Sequence, residues 1–175
     1  LKLLRSIFEN YARILTSQVN GIYRTMTDIT VIELRESRYY EYVNSFHEND
    51  CMTIIEVSVK KKGKFTVPMM SYVTPGLILT LANRMLGGGA EVISVEEDYR
   101  YSDIEMSLYK RIMESFIHTL ADGFTNYIDV DFQPSRVEEN PSMVQEVGQD
   151  ETVVLVVMNV DVTGIASEKI RFCIP

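Results

Sequence analysis

The chain has 175 residues, 46% of them hydrophobic, with 17 basic and 25 acidic side chains, a net charge of −8 and an isoelectric point near 4.8. That length supports one sizeable core or two fused small halves. The acidic balance argues against nucleic-acid binding, which needs a basic face, and against a polybasic membrane anchor.

The first segment carries Leu3, Leu4, Ile7, Phe8, Tyr11, Ile14, Leu15, Val19 and Ile22 at the i, i+3, i+4, i+7 spacing of a long amphipathic helix, weakened at its end by Asn20-Gly21. The β-branched content of Thr27 to Arg35 predicts a strand, and Tyr39 to Phe46 a short helix. Met52 to Val59 and Lys64 to Met70 read as two more strands, joined by a solvated hairpin tip, Lys60-Lys61-Lys62-Gly63. Thr74 can cap a helix that has Pro75 at its first position and Leu77, Ile78, Leu81, Ala82 and Met85 on its inner face. Gly87-Gly88-Gly89 ends it. An acidic connector then runs from Glu91 to Arg100, with Glu96, Glu97 and Asp98 exposed.

The second half repeats the order of the first. Ser102 to Ala121 has helical periodicity and a stop at Gly123. Asn126 to Arg136 alternates as a strand interrupted by Pro134. Asn140-Pro141-Ser142 starts a short helix, and Val153 to Val162 with Ile170 to Ile174 close the chain as a strand pair. Both halves read helix, strand, short helix, strand, strand, and Phe65-Thr66-Val67-Pro68 matches Phe172-Cys173-Ile174-Pro175 in letters. The fold expected is α/β: a pseudo-twofold duplicated α/β/α sandwich whose strands share one central, mostly antiparallel sheet, with the long helices outside. Residues 1–175 then form a single domain, with copies at 1–70 and 102–175 joined by the helix, glycine loop and acidic connector of 71–101. The opening Leu1 and the stop at Pro175 after a strand suggest a domain excised from a longer protein.

Chemistry-bearing motifs are sparse. Cys51 and Cys173 have no CxxC partner and read as buried reduced thiols. His47 and His118 lack ligand-like spacing, so neither a metal nor another cofactor is expected. No GxSxG, GxxxxGK[ST] or HExxH occurs. No apolar run approaches the roughly 20 residues that span a bilayer, and no signal-peptide layout is present. The triple glycine closes a helix instead of opening one and has no basic residue just after it, so it is not a phosphate loop. Three glycines exceed what a helix end needs, which suggests a backbone left bare for close approach by a partner. Ten tyrosines and nine methionines suit a contact surface, although most can equally be core.

Five segments in order carry a family resemblance: Ile7 to Arg13, Leu86-Gly87-Gly88-Gly89-Ala90, Tyr101 to Glu105, Val153 to Val157 and Phe172 to Pro175. Together they resemble the middle domain of the flagellar motor switch proteins of the FliM family, over essentially the whole chain. The resemblance implies the fold shared with the chemotaxis phosphatases CheC, CheX and FliY. It implies a non-enzymatic module of the rotor's cytoplasmic ring, peripheral at the inner-membrane face of the flagellar basal body. By the same resemblance the partner-binding residues are Gly87, Gly88, Gly89, Ala90 and Glu91, with Ile104 and Glu105 beside them, all facing a FliG-type rotor protein. Neighbouring FliM copies would pack laterally, and a phosphorylated response regulator, CheY, would bias the arrangement mainly through segments outside this chain. FliN would join through a further C-terminal domain. The family's loop is GGxG, so Ala90 takes the place of its last glycine. If that position needs positive φ, alanine costs on the order of 1 kcal/mol. The alternative activity is a CheC/FliY-type phosphatase, whose relatives place Glu and Asn three apart on a long helix. Here Glu9, Glu105 and Glu114 are followed at that spacing by Ala12, Leu108 and Ile117.

Overall fold

The computed structural model describes residues 1–60, 62–64, 67–96 and 98–175; the expectations that touch Lys61, Phe65, Thr66 and Glu97 lie outside the described residues there. In chain order the elements are α1 (Lys2–Tyr23), β1 (Thr27–Arg38), α2 (Tyr39–Asn44), β2 (Met52–Val59), β3 (Gly63–Lys64), β4 (Met69–Val73) and α3 (Pro75–Met85). There follow α4 (Asp103–His118), α5 (Leu120–Phe124), β5 (Val130–Glu138), a 3-10 turn (Pro141–Met143), β6 (Thr152–Val162) and β7 (Ala166–Ile174).

One antiparallel sheet orders them β1-β6-β7-β4-β2, with β5 on the far side of β2 and the short β3 continuing β4's edge. The first strand of each half therefore pairs with the second strand of the other half. β1 lies along β6 and β5 along β2, so neither half has a complete sheet without its partner. The two exchanged pairs carry matching irregularities: the register shifts at Ile32 in β1 and at Ser135 in β5. A bulge on an edge strand also accommodates Pro134, which has no N–H to give to a ladder. Aligning the bulges sets Ile55 against Met158. Their partners Met69 and Ile170 then correspond, and Ser71 corresponds to Phe172, the residue it faces across the central β4–β7 pair. The pseudo-twofold axis passes between those two residues.

That register corrects several expectations. Phe172 has Ser71 as its counterpart, so the four-letter match with 65–68 is not the register of the repeat. The strand expected over Lys64 to Met70 lies instead at Met69–Val73, because β4's place is set by its pairing to β2 and β7. β5 starts at Val130 and not at Asn126. α1 runs through Gly21 to Tyr23, while Asn20 ties the next turn by accepting from the Thr27 N–H at 2.8 Å. Gly123 does not end a helix; it lies inside α5. A Cβ there would come within 2.9 Å of Tyr11 Cβ and 3.3 Å of the Ile7 carbonyl, so its role is close packing of α5 on α1.

The sheet separates two apolar clusters. On one face α1, α3, α4 and α5 bury Phe8, Tyr11, Leu15, Ile78, Leu81, Ile112 and Phe116 against β2, β6 and β7. On the other, Tyr39 and Tyr42 of α2 join Met52, Ile54, Met70, Val144, Leu155 and Cys173. Central strands covered on both faces need apolar residues in near-continuous runs, which is the composition of β6, Val-Val-Leu-Val-Val-Met. Two hydrogen bonds tie buried hydroxyls between elements: Tyr11 donates to the Phe116 carbonyl at 2.8 Å, and Thr53 shares a 2.8 Å hydrogen bond with Tyr109. Burial pushes the Cys51 thiol up to about 11 and that of Cys173 up to about 12, so both stay protonated.

Candidate functional site: the glycine loop after α3

The loop is built from the end of α3. Gly87 has φ +84°, the left-handed conformation that glycine adopts without strain. Its N–H donates to the Arg84 carbonyl at 3.1 Å, and the Gly88 N–H donates to Asn83 O at 2.8 Å. These two bonds make a Schellman cap. Gly87 is thus required by the helix end itself. Gly88 and Gly89 are not in the positive-φ region, and neither is Ala90, so an alanine at the family's last glycine position carries no backbone strain. A Cβ on Gly88 would meet the Asn83 side-chain amide at 2.4 Å; on Gly89 the nearest atom is Glu91 Oε2 at 3.2 Å. Leu86, Gly89, Ala90 and Glu91 are exposed, Leu86 to 69%.

Sequence reasoning missed Arg84, which clamps this loop. Its guanidinium donates to the Tyr23 carbonyl at 2.9 Å, to the Arg24 carbonyl and to the Gly88 carbonyl at 3.3 Å. A cation on the unpaired carbonyls ending α1 is also favoured by that helix's dipole. The available signal was a basic residue in the last turn of a helix just before its glycine cap. Asn83 adds a 3.1 Å bond to Glu91, and the Ile93 N–H donates to Thr80 Oγ1 at 3.0 Å, pinning the start of the connector along α3. Ala90 and Glu91 share a cleft of about 190 Å³ with Met26, itself 76% exposed, and Thr163.

Ile104 and Glu105 occupy the first turn of α4. Ile104 is 71% exposed. Glu105 closes a capping box: its N–H donates to Ser102 Oγ at 3.2 Å, while its carboxylate accepts from the Ser102 N–H at 2.8 Å and the Tyr99 hydroxyl at 2.7 Å. Partial burial works against its charge, but these donors outweigh it and hold the carboxyl below its ordinary value. Glu105 makes its hydrogen bonds to Tyr99 and Ser102, not to the glycine loop. The positions three after Glu9, Glu105 and Glu114 hold Ala12, Leu108 and Ile117, all turned into the core. Among the described residues no cluster of three or more His, Cys, Asp or Glu side chains could hold a metal, and no helix is long and apolar enough to cross a membrane.

The arrangement is a rigid, exposed backbone corner edged by apolar side chains. It can offer shape and backbone groups to a protein surface.

Comparison with known proteins agrees with this architecture. The chain is 26% identical over 175 residues to the flagellar motor switch protein FliM of Bacillus subtilis and 25% identical to that of Treponema pallidum, covering all of this chain and 50% and 48% of those proteins. It spans about half the length of these relatives. In three dimensions it resembles the FliM middle domain of H. pylori (TM-score 0.81, 24% identity, covering 99% of this chain and 90% of that one). It also resembles the FliM of an H. pylori FliG–FliM complex (TM-score 0.82, 24%, 99% and 91%) and, more distantly, FliY of Thermotoga maritima (0.71, 18%, 99% and 86%). The model of the family described as flagellar motor switch protein FliM matches residues 1–175, and the chain belongs to that family.

Proposed function

We propose that this chain is a non-enzymatic scaffold and switch module of the flagellar rotor, docking a FliG-type protein through Gly87 to Glu91 with Ile104 and Glu105 alongside. The observation that carries this reading is the clamped loop. Arg84 and the Schellman cap hold the corner in one shape while Leu86, Gly89 and Ala90 stay exposed. A preorganised surface loses little conformational entropy on binding, which suits docking better than a flexible hinge between two copies. That a solved relative is a FliG–FliM complex supports the choice of partner.

In this reading 1–175 is one domain of two copies that pack beside neighbouring copies in the ring wall, peripheral at the cytoplasmic face of the inner membrane. A phosphorylated response regulator shifts the ring between two arrangements, while FliN joins elsewhere in the protein. The test is the variant Gly89→Leu, titrated with a FliG-type protein. Loss of affinity by about tenfold or more, roughly 1.4 kcal/mol, with thermal unfolding nearly unchanged is expected; unchanged affinity refutes the loop assignment. Adding the domain to a phosphorylated response regulator checks the phosphatase alternative: faster phosphate loss than from the regulator alone would displace the scaffold reading.

A further inference from the structure

The pseudo-twofold axis relates two positions on the helical face of the sheet, and among the described residues a helix covers only one of them. In the first, the chain leaves β4 at Val73 and turns at Thr74-Pro75 into α3, whose Leu77, Ile78 and Leu81 are buried over the sheet. By the register above, Ile174 and Pro175 correspond to Val73 and Thr74. At that position lies an open apolar cleft of about 370 Å³, walled by Val57, Val59, Met69, Phe124, Ile174 and Pro175.

Paired side chains show the difference. Val160, Val162 and Ile170 are 0%, 1% and 0% exposed. Their counterparts Val57, Val59 and Met69 are 7%, 7% and 5% exposed. The residues are apolar on both sides; what differs is the cover. All the side chains named in the cleft wall are apolar, so a polar ligand would lose hydrogen bonds to water there without replacing them, whereas an apolar helix face gains by burial.

We propose that this cleft is the seat of a second α3-like amphipathic helix, formed by the same polypeptide and joined directly to Pro175 as α3 is joined to Thr74. Entry at Ile174-Pro175 needs no connecting loop, because those residues already wall the cleft. A helix there repeats α3's relation to its neighbours under the twofold, with its far end near Phe124 where α3's far end meets Tyr23. The relatives have about as much chain again outside the matched half, ample for such an element. The inference rests on the fold's internal symmetry and is independent of the partner assigned to the glycine loop.

The experiment is methyl NMR of the protein at its natural length, reading the Met69 methyl. Expected are contacts from that methyl to an apolar helix following position 175. Met69→Lys should release the helix, seen as protease cleavage just after 175 that the unsubstituted protein resists. A natural polypeptide with no apolar helix after 175, no contact between such a helix and the Met69 methyl, or contacts coming from another chain or a lipid would each overturn the proposal.

Discussion

Gly87 and Gly89 sit two residues apart in one loop, and the structure assigns them opposite sensitivities to alanine. Gly87 has φ +84° and nothing within 4 Å of where its Cβ would stand, so Gly87→Ala creates no clash and its cost is conformational. Placing an L-residue in the left-handed region costs about 1–2 kcal/mol, and the usual entropic gain of replacing glycine in the unfolded chain offsets about 0.4–1 of that. The net loss is about 1 kcal/mol, a fall in Tm of about 2–4 °C for a domain of this size. Gly89→Ala has no positive φ to support. Its Cβ meets only the exposed Glu91 carboxylate, at 3.2 Å, so a change within about 0.5 kcal/mol is expected. Urea unfolding of both variants beside the parent protein, with equal m-values, measures the difference. Equal stability of the two variants would refute the assignment of Gly87 as the helix cap and Gly89 as a residue the fold does not need.

Two further outcomes follow from the geometry. Gly123→Ala should cost about 1–3 kcal/mol, because the new methyl lies 2.9 Å from Tyr11 Cβ at a helix–helix contact and overpacks it; denaturant unfolding unchanged from the parent would contradict the packing role. Glu105 has a carboxyl held below its ordinary 4.5, so its contribution is fully present above that value and lost as pH falls through its lower folded value. Glu105→Gln should therefore lower stability at pH 7 and shrink the loss seen in the parent below about pH 4.5; parallel stability curves for the two proteins across that range would show that the capping carboxylate does not matter.

Most elements were legible because their signals are local. The stripe from Ile7 to Val19 and the capping pattern Ser102-x-x-Glu105 announce helices from residues within a turn or two of one another. Errors came where a distant contact decided. Gly123 reads as a stop on propensity, yet its lack of a side chain is used by Tyr11, more than a hundred positions earlier. The apolar run ending at Met70 reads as a strand, but pairing with β7 moves the element to Met69–Val73. At the glycine loop the family resemblance supplied the candidate residues. Which of the three glycines serves the helix, and that Ala90 is free of strain, depended on backbone angles that letters do not carry.

The sequence by itself determined the element types, their repeated order, the acidic surface and the family. Periodicity and capping are settled by forces acting over a few residues, and five ordered segments suffice for a resemblance. Only the tertiary structure decided that β1 and β5 trade places between the halves, that Arg84 locks the loop onto α1, and that Val57, Val59, Met69 and Ile174 come together around one apolar cleft. Those are choices of partner. β6 offers the same backbone donors and acceptors to any strand, and burial of both sheet faces across the whole chain selects the one that lies beside it.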